Sequence, residues 1–314
     1  MQIIFGPVNS RRFGSSLGVD LSPQTKQCNF DCLYCELAPA QPVAKQNYVI
    51  PVDEIVNALY EHLNDEIDVI TVTANGEPTL YPHLHELVRR IDTLKGETKT
   101  LILTNAATLS DLNVYKTLLL FDKVKLSLDA ASAQTFKKID RPQKDLHVED
   151  IIRSMQRFSR EYRGELYIEV LFVKGINDSD TEILKLNEVL LGLHNITRVD
   201  IGTIDRPPAY PVEALSYEEL HEIANMFDSS LPIHIASRIK SDNYSPRNYS
   251  KEEILNTLDK RPLTLEDIEI LFDKESQKVL HELVSNGQIK TKKVGNLEFF
   301  LPSENFFRKR VKNS

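Results

Sequence analysis

Within a chain of 314 residues, all three cysteines fall in one short segment, Cys28-Asn-Phe-Asp-Cys32-Leu-Tyr-Cys35, spaced C-x3-C-x2-C. Thiolates are soft ligands that suit iron–sulfur clusters or zinc. A four-iron cubane held by three cysteines leaves one iron without a protein ligand and open to a small molecule. The same triplet also suits a zinc site with a distant fourth ligand, or three unligated thiols. Cys-only iron–sulfur ligation is the commoner use of so compact a run. With every cysteine in this segment, none remains for an auxiliary centre.

Further polar residues stand where a β-branched or apolar run ends. Gly76-Glu77-Pro78 follows the run 67–73. Alone it is turn punctuation, yet a carboxylate and backbone carbonyls are the acceptors an ammonium group needs. Ser127 and Asp129 are two apart on an extended segment and so share one side of it, although in isolation they read as a strand end. Arg11 and Arg12 precede the first predicted strand, and an arginine fork suits carboxylate or phosphate. Lys174, Asp205 and Arg206 close later strands and suit the same task. Pro207-Pro208-Ala-Tyr-Pro211 makes a stiff loop that fits the wall of a site.

The elements that position these residues alternate. Predicted strands cover 17–21, 67–73, 100–104, 124–128, 166–173, 198–202 and 232–236. The helix after the cysteine segment shows in Val52, Ile55, Val56, Leu59, Tyr60 and Leu63, spaced as one face of a 3.6-residue period. Further helices are expected over 83–94, from Ser110 as N-cap to 120, from 132, over 147–162 and over 181–193, and from a Ser216/Glu219 capping box to 227. This alternation of strands with helices, with no run read as strictly alternating apolar with polar, argues for βα units around a parallel sheet covered by helices. In closed barrels of that kind the chemistry sits at the C-terminal ends of the strands, where Gly76, Glu77, Asn105, Ser127, Asp129, Lys174, Asn177, Asp205 and Arg206 fall. An open doubly wound sheet fits the periodicity nearly as well. Arg153, Arg157, Arg160 and Arg163 lie near one helical face, which reads as a solvated stripe.

At these motifs the chain resembles the radical S-adenosylmethionine (SAM) superfamily, whose cluster motif is C-x3-C-x-aromatic-C with Tyr34 in the aromatic place. The resemblance covers residues 1–240 and implies an α/β partial (β/α)6 TIM-type barrel. It also implies a [4Fe-4S] cluster on Cys28, Cys32 and Cys35. SAM would lie against Tyr34, Gly76, Glu77, Pro78, Asn105, Ser127 and Asp129. Asn75 stands where relatives commonly have a first glycine. Thr104 and Arg141 face cofactor or substrate in this picture. Gly6-Pro-Val-Asn-Ser-Arg-Arg-Phe-Gly14 and Leu17-Gly-Val-Asp-Leu21 resemble a branch of Fe–S oxidoreductases similar to the wyosine-type tRNA-modifying enzymes. The implied reaction is cleavage of SAM to a 5′-deoxyadenosyl radical that takes hydrogen from a substrate, with RNA the first expectation and a peptide the second. A reduced flavodoxin- or ferredoxin-type protein is the implied electron donor. The competing non-enzyme class is a zinc-stabilised nucleic-acid-binding protein.

Composition narrows the setting. The chain is 41% hydrophobic and 27% charged, ordinary for a soluble globular protein, and its net charge of −8 carries no global sign of nucleic acid or membrane. No apolar run approaches the ~18 residues of a membrane span, and Met1-Gln-Ile-Ile-Phe-Gly-Pro lacks the regions of a signal peptide. Thiolate ligation needs a reducing compartment, so a cytoplasmic protein without a membrane partner is expected.

A polar, proline-containing stretch at 241–249 reads as a linker to a second domain over 250–314. Ser250 and Glu253 form a capping box, helices are expected over 250–258, 264–271 and 275–285, and Gly295-Asn296 is a hairpin signal. Three helices and a hairpin predict a winged helix. This domain carries twelve Lys and Arg against eleven acidic residues, and from Lys290 onward seven against two. The basic end is the one local hint of nucleic acid.

Overall fold

The computed structural model describes residues 3–10, 13–64, 66–235, 246–260, 262–294 and 297–303. Arg11, Arg12, most of the expected linker, the Gly295-Asn296 turn and the tail from 304 lie outside the described residues. The chain divides into two compact units. One comprises Met1–Thr203, Ala209–Pro211 and Leu215–Ala236; the other comprises Ile204–Pro208, Val212–Ala214 and Ser237–Ser314.

The first unit is built on one eight-stranded sheet: β1 (Ile4–Ser10), β2 (Gly14–Asp20), β3 (Val69–Thr73), β4 (Lys99–Thr104), β5 (Lys123–Ser127), β6 (Glu165–Phe172), β7 (Ile196–Thr203) and β8 (Ile233–Ile235). The strands lie side by side in chain order, β1 antiparallel to β2 and each later pair parallel. A doubly wound sheet reverses its strand order at a switch point; here there is no reversal, so the winding is that of a barrel left open between β1 and β8. The helices are α1 (Val52–His62), α2 (Leu84–Leu94), α3 (Leu112–Leu118), α4 (Ala133–Ile139), α5 (Val148–Glu161), α6 (Asp180–Leu191) and α7 (Tyr217–Asn225). Strands β2 to β7 are each followed by a helix, which makes the six βα units of a partial (β/α)6 barrel.

Two expectations need correction. The predicted first strand is the second: β1 precedes it as its antiparallel partner, with a register irregularity between Phe5 and Val8. The N-cap of α3 is Asp111 rather than Ser110, because the Asp111 carboxylate accepts from the backbone of Asn113 and Val114. The Ser216/Glu219 capping box of α7 is present as expected.

The two faces of the sheet differ. Val124 and Leu126 of β5, Leu166, Ile168, Val170 and Phe172 of β6, and Val199 and Ile201 of β7 are wholly buried. They alternate with Lys123, Lys125, Ser127, Tyr167, Glu169, Arg198 and Asp200. Alternation puts the first set on one face and the second on the other. Over β5 to β7 the sheet is therefore apolar on one side and polar on the other, unlike a parallel sheet buried on both faces. Charges on the polar face pair with one another, across strands and within β7. Lys125 reaches Glu169, and Arg198 grips Asp200 with two bonds of 2.8 and 3.2 Å. His234 Nδ1 lies 3.2 Å from the same Asp200.

Among the helices, α5 carries Phe158, wholly buried, stacked on Tyr162 at 4.9 Å and edge-on to Tyr115 at 5.6 Å. Deleting such a ring costs about 3–5 kcal/mol. Arg153 and Arg157 on the outer face pair with Asp150 and Glu161 and are exposed, as a solvated stripe should be. Among the described residues no helix is long and apolar enough to cross a membrane.

The second unit, within its described residues, runs α8 (Lys251–Lys260), β9 (Leu263–Thr264), α9 (Leu265–Leu271), α10 (Lys274–Ser285), β10 (Ile289–Val294) and β11 (Leu297–Pro302). The strands pair antiparallel in the order β10–β11–β9. Ile254, Leu258, Leu263, Ile268, Phe272, Leu280, Leu283 and Ile289 form its core. Ser250 with Glu253 and Thr264 with Asp267 box the starts of α8 and α9. The two-residue strand β9 has no counterpart among the predicted elements.

Candidate functional site

The cysteine segment leaves β2 and forms no helix or strand of its own, so its backbone groups must find partners elsewhere. They find them in connections that follow distant elements. After β3, Gln27 N–H donates to Asn75 O and Glu77 N–H to Gln27 O, at 2.9 and 3.0 Å. After α4, Asp31 and Leu33 N–H donate to Asp140 and Ile139 O, and Gln143 N–H to Asn29 O. After β7, Ala209 N–H donates to Cys35 O at 2.8 Å. The segment following the cysteines folds back over them: Val43 N–H bonds Cys28 O, and Gln27 Oε1 accepts from the backbone of Asn47 and Tyr48.

Gly76 is required where it stands. Its φ is +137°, and a Cβ there would meet the Gln27 carbonyl oxygen at 2.0 Å. Only glycine allows the two backbones to approach so closely.

The three thiols are free and half-buried. Cys28 Sγ accepts from Phe30 N–H at 3.4 Å and from Asn105 Nδ2 at 3.8 Å; Cys32 Sγ donates to Asp140 Oδ1 at 3.4 Å. Burial pushes the Cys28 thiol up to about 12, helped by the charge of Glu77. Burial also raises Cys32, with Asp140 adding to it, and raises Cys35 against the opposing pull of Lys26. Deprotonated thiols in this setting call for a cation among them. Among the described residues no three Cys, His, Asp or Glu side chains converge closely enough to hold a single metal ion. Three thiols on one loop are the donor set of a polynuclear cluster, in which each sulfur bonds its own iron.

Glu77 is buried with both carboxylate oxygens occupied. Oε1 accepts from Thr79 N–H (3.0 Å), Thr79 Oγ1 (2.7 Å) and Thr104 Oγ1 (2.6 Å), and Oε2 from Asn105 N–H (2.8 Å). Burial raises its pKa, against these four bonds. Pro78 opens the single helical turn Pro78–Leu80 that Glu77 caps. Asn105, anchored at the end of β4, donates its Nδ2 to Asn29 Oδ1 at 2.7 Å beside Cys28.

Asp129 is also buried. Oδ2 accepts from Tyr34 O–H at 2.5 Å and Oδ1 from Leu171 N–H at 2.7 Å, so the aspartate ties the cysteine segment to β6. Burial lifts it to about 7, opposed by those two bonds. Asp140 is raised well above the usual carboxylate range by burial and then by Asp129. Tyr34, Asn105, Ser127 and Asp129 line one small cleft open to solvent, whose other wall is apolar: Phe30, Leu128, Phe136, Val148 and Ile151.

The other predicted site residues divide. Thr104 is here, bonded to Glu77. Arg141, at φ +47°, stacks on Tyr210 at 4.5 Å and lies 3.6 Å from Asp31. Lys174 donates to Glu219 of α7 at 2.6 Å, an ion pair half open to solvent, and does not join this group. Asp205 and Arg206 fall in the second unit. Gln27, Asn29, Asp140 and Tyr210 were not singled out from the sequence. An asparagine directly after the first cysteine and an aspartate directly before Arg141 were the available signals.

Comparison with known proteins gives a consistent picture. The profile of the Radical SAM superfamily matches residues 23–186. A UPF0026 protein of Helicobacter pylori (strain ATCC 700392 / 26695) is 43% identical over 302 residues, covering 95% of this chain and 97% of its own. Among solved structures, a radical SAM methyltransferase from Sphaerobacter thermophilus superposes with a TM-score of 0.54 at 18% identity, over 70% of this chain and 66% of that one. Streptococcus suis SuiB bound to S-adenosylmethionine superposes at 0.50 and 16% identity, over 73% and 51% of the two chains.

Proposed function

We propose that this chain, which belongs to the radical SAM superfamily, holds its [4Fe-4S] cluster on Cys28, Cys32 and Cys35 and binds SAM from the cleft lined by Tyr34, Asn105 and Ser127 toward the Gly76–Pro78 turn, to which Asn105 is joined through Glu77. It is an enzyme whose cofactors are a [4Fe-4S] cluster and SAM. When bound, the two together supply one-electron cleavage of a sulfur–carbon bond and a 5′-deoxyadenosyl radical that abstracts hydrogen. The observation that carries the reading is the joint between the two motifs. Gln27, next to Cys28, pairs with both sides of Gly76 through a contact that only glycine permits.

In this reading the chain's own residues position and exclude. The turn at Gly76 offers backbone carbonyls to the ammonium end of SAM, together with Glu77 Oε2, which accepts only the Asn105 N–H and has a lone pair left. Ser127 and Asn105 take sugar hydroxyls, and the apolar wall from Phe30 to Ile151 takes the flat base. Asp129 braces Tyr34 rather than spending its oxygens on the ribose. The substrate approaches along the polar face of the sheet, where Lys125, Glu169 and Arg198 stand below Ser127.

For the substrate we favour RNA. The element order of the second unit is that of a winged helix, and its strand β10 presents Lys290, Lys292 and Lys293 exposed in a four-residue span. That is a footprint for a phosphate backbone. The reductant such an enzyme requires would be a flavodoxin- or ferredoxin-type protein, and a thiolate-held cluster suits a reducing compartment, which supports a cytoplasmic location. Anaerobic reconstitution followed by assay for 5′-deoxyadenosine tests the chemistry, and RNA and peptide pools test the substrate. SAM cleavage stimulated by RNA and weakened steeply by salt is expected. Stimulation by peptides alone would overturn the RNA reading.

A further inference from the structure

Residues 22–51 carry the cysteines without a helix or a strand. A connection of that length is uncommon in a compact domain unless it serves a site, and its order needs a source. Phe30 and Ile50 are its only buried apolar side chains. Its other buried side chains are polar, so apolar burial does little against the entropy of fixing this backbone.

Asp31, between Cys28 and Cys32, is buried, and its carboxylate gathers four separate parts of the chain. Oδ1 accepts from Lys26 Nζ at 2.8 Å and from Ala40 N–H at 3.3 Å, which closes the segment on itself from both sides of the cysteines. Oδ2 accepts from Tyr210 O–H at 2.5 Å, on the connection after β7, and lies 3.6 Å from Arg141 Nη2, on the connection after α4. Arg141 in turn stacks on the Tyr210 ring at 4.5 Å, so the three side chains brace one another. Arg141 takes this place at a φ of +47°, a conformation that a residue with a Cβ adopts rarely and that persists where its surroundings over-determine it. Hydrogen bonds to an ionised group are roughly twice as strong as neutral ones, and a buried pair is screened little by salt. None of these bonds uses a cysteine sulfur, so the brace does not wait on iron.

We infer that Asp31 is a positioning residue for the cluster: its carboxylate fixes the cysteine segment in the apo-protein, so that iron and sulfide enter a loop already formed, and Tyr210 acts through Asp31. The inference deepens the cluster reading and rests on it only for the loading step.

Amide hydrogen exchange of the full-length apo-protein, read by mass spectrometry, tests the brace without any cofactor. The amides of residues 28–43 should be protected in the wild type. Asp31→Ala should quicken their exchange about tenfold or more, the equivalent of one hydrogen bond to a charged group, while β5 and β6 exchange as before. Tyr210→Phe should quicken the same amides, yet add nothing in the Asp31→Ala background. Asp31→Glu, which keeps the charge, should recover part of the protection. Anaerobic reconstitution of Asp31→Ala should load iron and sulfide about tenfold more slowly than the wild type, in step with the loosened loop. A wild-type segment that exchanges as an unfolded chain does, an Asp31→Ala segment as protected as the wild type, or a loosened segment that loads at the wild-type rate overturns the inference. If Asp31→Ala does not fold, Asp31→Asn, which keeps the shape and removes the charge, is read the same way; should neither fold, Asp31 serves the whole barrel and the inference falls. A wild-type apo-protein whose segment is protected but which binds no iron overturns the cluster reading instead, which is a separate result.

Discussion

Replacing Glu77 by alanine separates two roles that coincide in this residue. The motif casts Glu77 as a contact for SAM; the structure also makes it the anchor of the end of β4. Glu77→Ala would strip the partner from Thr79 N–H and Asn105 N–H and from the hydroxyls of Thr79 and Thr104. The hydroxyls can turn to other acceptors, but the two backbone groups cannot. Each buried N–H left unpaired costs about 1–3 kcal/mol, hence about 2–6 kcal/mol for the pair. Burial of the charge, which raises the Glu77 pKa, offsets part of that loss, so a net destabilisation of about 2–4 kcal/mol is expected. That is a large share of the 5–15 kcal/mol typical of a domain. Denaturant unfolding of the apo-protein measures it without any cofactor. Separately, SAM affinity of the reconstituted variant should fall about 10- to 150-fold, the equivalent of one charged hydrogen bond. Glu77→Gln, which keeps one oxygen for Thr79 and Thr104 but turns an NH2 toward Asn105 N–H, should be milder in stability and still weak in SAM binding. An alanine variant whose unfolding free energy lies within about 0.5 kcal/mol of the wild type would refute the anchoring argument, whatever happens to SAM.

Cys32→Ala should lose the cluster's iron and sulfide after reconstitution, since every cysteine of the chain is already engaged; retention of both at wild-type stoichiometry would remove the assignment. Gly76→Ala should destabilise by about 1–3 kcal/mol for the backbone conformation alone, and by more for the Cβ placed 2.0 Å from Gln27 O; a melting temperature and SAM affinity equal to the wild type would contradict it. Asp129 has its folded pKa raised from 3.8 to about 7, so between those values the folded state binds more protons than the unfolded one. Stability of the apo-protein should therefore fall as pH rises through that window. Asp129→Asn should flatten the slope, with Asp140 titrating as its partner, and an unchanged slope in denaturant midpoints would show that the dependence lies elsewhere.

How much of this was legible in the sequence follows from what each residue type is free to be. Three thiolates on one short segment have no substitutes for their chemistry, so Cys28, Cys32 and Cys35 declare themselves, and Gly76 does so because no residue with a Cβ fits. Capping boxes such as Ser216/Glu219 are local and equally plain. Strand β1 was missed because Gly6-Pro7 reads as punctuation, and its extended form comes from pairing with β2 rather than from its own pattern. The polar face of the sheet was written in the strict alternation from Lys123 to Asp129, but neighbouring strands such as β3 show no such alternation and hid it. Least legible were the braces. Tyr210 meets Asp31 across 179 residues, and Ala209 meets Cys35 almost as far apart in the chain. Such pairs arise because an open barrel brings the connections at one end of every strand to the same place. Any donor could have served there, a tyrosine, an amide or a backbone N–H, so the residue type carries no signature of the role. The chemistry of a site is thus read from types and spacing, whereas its rigidity is decided by which loops the topology makes neighbours.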